Sequence, residues 1–210
     1  MVIATPKRGS NGKKPVSKKF LRLVLTGTPG TGKTTAAKAI AAATGARLID
    51  ANAIVKRKAL WFNKARHEAD LTRLKRALLQ EIKASTASAS PRGFVAEGHL
   101  LCEFALPCDA CVVLRCDPRE LVRRLKKRGY ARGKIAENVL CEILDYCLVK
   151  AEDAYGAKKT IQIDVSNASK RVDAKNAKKL LDAVAKRRSD DTNWSSALLD
   201  ERFKNGLGLS

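Results

Sequence analysis

The sequence predicts an α/β fold: a five-stranded parallel sheet flanked by helices. Three observations carry that reading. Short apolar runs alternate with amphipathic helical stretches along most of the chain, the order of βαβ units. The runs are apolar at nearly every position, as strands buried on both faces are. A glycine-rich turn joins the first run to the first helix, and ligands of open α/β sheets bind at such strand ends.

The elements follow in order. Residues 1–19 hold Lys7, Arg8, Lys13, Lys14, Lys18 and Lys19 with no acid, broken by Gly9, Gly12 and Pro15. They read as a mobile basic arm or as a solvated tail. Order begins at Phe20, and Phe20–Leu25 is the first strand, stopping at Gly27. Lys33–Thr44 is Ala-rich, unbroken and closed by Gly45, a helix with its C-cap. Arg47-Leu48-Ile49 is a second strand, and Asp50 is placed to cap the next helix. Ala51–Leu60 and Leu71–Lys83 read as helices joined by the polar segment 63–70, and residues 85–90 (STASAS) as a linker. Phe94-Val95-Ala96 is a third strand; Ala110–Leu114 is the fourth and the most β-like run. Pro118 opens a helix at a favoured first-turn position, Leu121, Val122 and Leu125 form its stripe, and Gly129 ends it. Ile135–Ala151 reads as one long amphipathic helix, Thr160–Val165 as the fifth strand, and Asp173–Arg187 as the last helix. After Arg187 the chain turns polar. Trp194, Leu198, Leu199 and Phe203 then form a short amphipathic stretch, docking on this chain or on a partner.

Composition limits the function classes. A chain of 210 residues suits one domain, and 45% hydrophobic content builds a real core. Lys and Arg number 42 against 21 Asp and Glu, a formal charge of +21 that points to a polyanion such as nucleic acid. No apolar stretch is long enough to span a membrane, and no secretory signal follows the basic N-terminus. The six cysteines then read as reduced thiols in a cytoplasmic protein. Cys108-x-x-Cys111 has the spacing of one zinc knuckle without a second, and with Cys111 in the fourth strand buried thiols are the better reading.

The chemistry sits at Gly27-Thr28-Pro29-Gly30-Thr31-Gly32-Lys33-Thr34, which fits G-x-x-x-x-G-K-[ST] between a strand and a helix. Gly30 and Gly32 let the backbone turn so that consecutive N–H groups face phosphate oxygens. The helix adds its free N–H groups and the positive end of its dipole. Lys33 brings a full charge toward the β- and γ-phosphates of ATP, Thr34 a hydroxyl for Mg²⁺, and Thr35 the next hydroxyl, for the α-phosphate. Glu97, at the end of the third strand, is placed to hold the Mg²⁺ shell. His99 either orients water or phosphate, or is a loop histidine bonded to backbone.

Residues 115–134 hold nine cations against Asp117 and Glu120, and most of those on the helix read as a solvated face. Arg128 differs, because Gly129 breaks the helix behind it. It stands where a lid arginine would close over a triphosphate.

Taken together, G-T-P-G-T-G-K-T-T, then E-G-H, V-L-R-C-D-P-R-E-L-x-x-R-L-K-K-R-G-Y and E-N-V-L-C-E-I resemble the adenylate kinase isoenzyme 6 family. This is an archaeal and eukaryotic branch of adenylate-kinase-like ATPases associated with small-ribosomal-subunit maturation. The resemblance covers residues 20 to about 186. It implies a P-loop NTPase of the nucleoside-monophosphate-kinase type, with ATP phosphates on Gly30, Gly32, Lys33, Thr34 and Thr35. It implies a monophosphate-binding region at 50–73, a lid at 127–137 with Arg128 on ATP, and Glu97 and His99 in the metal-site element. It also implies nucleoside-monophosphate kinase and ATPase activities and the small-subunit ribosomal protein uS11 as partner. The monophosphate region departs from the family in being basic, with Lys56-Arg57-Lys58 and Lys64-Ala65-Arg66-His67, so either Lys56 or Arg57 would meet the AMP phosphate. Residues 1–19 and 188–210 fall outside the resemblance.

Three functions are therefore weighed: a kinase converting ATP and AMP to two ADP, an ATPase switch in ribosome assembly that contacts RNA through its basic surface, and a non-enzymatic RNA-binding module. The phosphate loop favours the first two. The excess of cations favours the second over a purely metabolic enzyme.

Overall fold

The computed structural model describes residues 21–63, 65, 68–86, 93–167 and 174–208. The basic arm at 1–19, Phe20, most of the 85–90 linker, and Lys64, Arg66 and His67 lie outside these.

Five strands form one parallel sheet. They are β1 (Leu21–Thr26), β2 (Arg47–Asp50), β5 (Gly93–Glu97), β6 (Ala110–Arg115) and β7 (Thr160–Asp164), in the order β2-β5-β1-β6-β7. The pair β3 (Trp61–Asn63) and β4 (Glu68–Ala69) makes a separate antiparallel hairpin. The strand order reverses at β1, so the turn after β1 opens at the switch point of the sheet. Register carries the alternation. Leu25 pairs with Glu97 on one side and Val112 on the other, which brings the β1 turn, Glu97 and the end of β6 to one rim.

Each face of the sheet is covered. Val24, Phe94, Ala96, Cys111 and Val113 pack under helices α2 (Ala51–Arg57), α3 (Leu71–Thr86) and α6 (Tyr146–Tyr155). Leu23, Leu25, Val95, Val112 and Leu114 pack under α1 (Lys33–Thr44) and α7 (Ala174–Ala185). A third cluster joins α4 (Pro118–Lys127) and α5 (Arg132–Ile143) through Leu121, Leu125, Ile135 and Val139. The C-terminal stretch completes it, with Trp194, Ala197, Leu198, Phe203 and Leu207 packed there around a 3₁₀ turn and α8 (Glu201–Leu207). Of the two docking partners the sequence left open, the chain's own surface is the one this stretch covers.

Local signals hold where they were specific. Asp50 caps α2, accepting from the Ala53 amide at 2.9 Å, and Asp117 caps α4 ahead of Pro118. Gly45 closes α1 in the left-handed region at φ 72. Cys102, Cys108, Cys111, Cys116 and Cys147 are buried and Cys141 half-buried.

Two expectations are corrected. Helix Ala51–Leu60 stops at Arg57; Ala59 turns at φ 49, and the chain leaves through the β3–β4 hairpin. The long helix at Ile135–Ala151 is two, α5 and α6, parted at Asp145, which sits at φ 55. The break has a cause in packing. Arg115, 1% exposed at the end of β6, bonds the Glu142 carbonyl at 3.0 Å and the Asp145 carboxylate, and an unbroken helix would not present that carbonyl.

Candidate active site

The turn after β1 is held from inside. The Thr28 carbonyl accepts from the Lys33 amine at 2.9 Å and from the Thr31 hydroxyl at 2.9 Å. Gly30 and Gly32 take φ 99 and 98, where a side chain costs energy. Gly27, at φ 130, has no room either: a Cβ there would lie 2.4 Å from the Leu114 carbonyl oxygen.

Lys33 is buried. Burial lowers its pKa, opposed by Cys147, Glu97 and Glu142 nearby. Thr34 donates to Glu97 at 2.8 Å, so the helix start and the end of β5 meet. Glu97 is 1% exposed, and its second oxygen, Oε2, is buried with no hydrogen-bond partner among the described residues. Burial raises its pKa, with the Thr34 bond and Lys33 pulling the other way. A buried carboxylate with one oxygen unspent beside a threonine hydroxyl is a donor set that suits Mg²⁺.

His99 opens a 3₁₀ turn after β5. Its main-chain carbonyl accepts from Thr26 and Cys102, each at 3.1 Å, and the residue lines a cavity beside the loop. Burial, then Lys33 and Lys134, hold its pKa down at about 4, so it is neutral at pH 7.

Two cavities flank the loop. One, of about 410 Å³, is lined by Lys33, Thr34, Glu97 and His99 together with Asn52, Lys56, Trp61 and Tyr130. The other, of about 790 Å³, runs between α4, the end of β7 and α7, with Arg123, Arg124, Lys127, Asp164 and Asp191 on its walls. Gly30, Gly32, Thr35 and Arg128 line both. Arg128 is the exposed C-cap of α4, and Gly129 behind it turns at φ 72.

Most of the residues singled out by sequence are thus brought together. Arg57 is not: its guanidinium pairs with Glu81 at 2.7 Å, beside Arg47 at 2.5 Å, and it lines neither cavity. Asn52, Trp61, Thr28 and Glu142 were not singled out. For Glu142 a signal existed: Arg115 directly follows a wholly apolar strand, so its charge needs buried acids, and Glu142 and Asp145 lie three apart on one helical face.

Comparison with known proteins places the chain. Residues 23–145 match the AAA domain family. A putative adenylate kinase of Methanocaldococcus jannaschii is 33% identical over 151 residues, 70% of this chain and 78% of that protein. One from Pyrococcus abyssi is 32% identical over 174 residues, 82% of this chain and 91% of the relative. Among solved structures, shikimate kinase from Acinetobacter baumannii in complex with shikimate superposes with a TM-score of 0.57 at 16% identity, over 82% of this chain and 97% of that one. That likeness shows the shared fold, the P-loop NTPase fold of the nucleoside-monophosphate-kinase type. With its phosphate-loop geometry and these relatives, the chain belongs to the adenylate-kinase-like family.

Proposed function

We propose that this protein is a nucleoside-monophosphate kinase that moves the terminal phosphoryl group of ATP to AMP, giving two ADP. One observation carries the reading: Gly30, Gly32, Thr35 and Arg128 line two cavities on opposite sides of one phosphate loop. A triphosphate lying on that loop reaches into both. Its nucleoside takes the larger, and the smaller, with Lys56 and Asn52, takes the acceptor.

The roles follow from placement. Lys33 and Arg128 neutralise charge on the transferring group, whose bond to the β-phosphate oxygen breaks as the bond to the acceptor oxygen forms. Thr34 and Glu97 hold Mg²⁺, which when bound supplies further charge neutralisation at the phosphates. The neutral His99 offers a hydrogen bond without adding charge. Residues 50–73 form the acceptor region and 127–137 the lid. Lys56, not Arg57, meets the acceptor phosphate, because Arg57 is tied to Glu81. No covalent intermediate is required, and catalysis is positional and electrostatic.

The test is ADP formation from ATP with and without AMP. AMP-dependent formation of two ADP per ATP supports the kinase. Turnover that ignores AMP but rises with RNA or ribosomal protein refutes it and supports the second reading, an ATPase switch of the isoenzyme 6 branch in small-subunit maturation, with uS11 as partner. That reading is favoured by the charge of +21 and by the E-G-H, R-G-Y and E-N-V motifs. It requires RNA binding that weakens steeply between 50 and 200 mM salt, by roughly 10³-fold for about six phosphate contacts.

A further inference from the structure

We infer that Glu142 is a positioning residue for the phosphate loop, acting through Thr28 and tying that loop to the helix that begins in the lid. The inference rests on the kinase reading above and adds to it a residue outside both cavities.

Thr28 anchors the loop. Its carbonyl accepts from Lys33, from the Thr31 hydroxyl, and at 3.3 Å from the Thr31 amide. Whatever fixes Thr28 therefore fixes where the Lys33 amine rests. The Thr28 side chain is wholly buried, and its hydroxyl donates to Glu142 Oε2 at 2.5 Å. The other oxygen, Oε1, accepts from Arg115 Nε and from the Cys116 amide, each at 2.9 Å. Arg115 is held in turn by Asp145 and by Gln162 of β7, the latter at 3.0 Å. Burial works against the charge of Arg115, but Glu142 and Asp145 outweigh it and its pKa is raised.

Glu142 is thus spent on both oxygens, cannot swing away without stranding a buried guanidinium, and points at one loop residue. It is the penultimate residue of α5, and α5 starts at Arg132, about 15 Å along the helix and inside the lid region. A movement of the lid helix is passed to the loop by one hydrogen bond.

The discriminating variant is Thr28→Val, which removes the hydroxyl, keeps the volume and leaves Arg115 with all its partners. Two readouts are used. In the protein without nucleotide, amide hydrogen exchange at Gly30–Lys33 should speed up about tenfold while β1 and β6 are unchanged. In turnover, kcat/KM for ATP should fall about 10–100-fold, the cost of a small misplacement of catalytic groups, with KM for AMP unchanged. Thr28→Ser should recover most of both losses. Unchanged exchange at Gly30–Lys33 in Thr28→Val, or a Thr28→Ser variant that recovers neither loss, overturns the inference. Should the wild type form no ADP from AMP, the kinase reading fails by itself, and the exchange experiment still decides the role of Glu142.

Discussion

The His99 imidazole gives the sharpest quantitative prediction. Its pKa in the folded protein is about 4, against an ordinary 6.5, because burial and the nearby Lys33 and Lys134 disfavour its charged form. The sign follows from linkage. Between those two values the unfolded chain binds a proton that the folded chain refuses, so acidification stabilises the unfolded state. The cost begins as pH falls through 6.5, amounts to about 2 kcal/mol between pH 7 and 4.5, and levels off near 3 kcal/mol below pH 4. Glu97 works in the opposite direction. Its raised pKa means the folded protein takes up its proton first, which favours folding as pH falls. Comparison with His99→Gln removes that contribution, because Gln fills the same space and does not titrate. Urea unfolding of both proteins at pH 8, 7, 6, 5 and 4.5 gives the difference curve. Wild type should lose about 2 kcal/mol more than His99→Gln across that range. Parallel curves would mean that His99 takes up its proton as readily in the folded protein as in the unfolded chain, and that burial does not hold its pKa down.

Three further outcomes are expected. Gly27→Ala should cost more than about 3 kcal/mol in urea unfolding, since its Cβ meets the Leu114 carbonyl oxygen at 2.4 Å and main chain at φ 130 cannot yield cheaply; a variant as stable as wild type would refute the loop geometry. Leu207→Ala should cost about 2 kcal/mol, because Leu207 is 5% exposed in the cluster with Leu121 and Ile135, and no loss would mean that the C-terminal helix does not dock there. Lys56→Ala should raise KM for AMP about tenfold, the worth of one charge-assisted hydrogen bond, whereas Arg57→Ala should change it less than twofold. The reverse order in steady-state kinetics would hand the acceptor site to Arg57.

The sheet and the phosphate loop were legible because their signals are local. The runs at 94–96 and 110–114, apolar throughout, and 21–25, apolar except for Arg22, permit little but buried strands, and the loop motif depends on glycines whose φ no other residue takes readily. What sequence reasoning missed is set by contacts far along the chain. Ile135–Ala151 has an unbroken helical stripe, and nothing local stops it at Asp145. The break goes with Arg115, thirty residues earlier, whose buried guanidinium takes the Glu142 carbonyl that a continuous helix would spend on its own backbone. Charge composition cannot tell that buried guanidinium from the exposed cations of the helix that follows it. The β3–β4 hairpin escaped for a different reason: three residues against two carry too short an alternation to stand out from a polar loop.

The electrostatics of the site separate two tasks. Among the described residues the buried ionisable side chains at the loop are Lys33, Glu97, Arg115 and Glu142, two cations and two carboxylates. Pairing offsets part of the desolvation cost of these buried charges, but the balance leaves little net field for a nucleotide that carries several negative charges. The attraction must come from cations at the cavity rims, and Lys56, Arg123, Lys127 and Arg128 are all exposed there. Exposed charges are screened over about 8–10 Å at ordinary ionic strength, whereas Lys33 is shielded from salt by its burial. Calorimetric ATP affinity should therefore fall at least about threefold between 50 and 500 mM potassium chloride, and Arg128→Ala should reduce that dependence as well as the affinity itself. An affinity indifferent to salt would place the grip on the triphosphate wholly inside the loop, with Lys33 and the backbone N–H groups alone, and would leave the exposed rim, and with it much of the chain's excess positive charge, to a different polyanion.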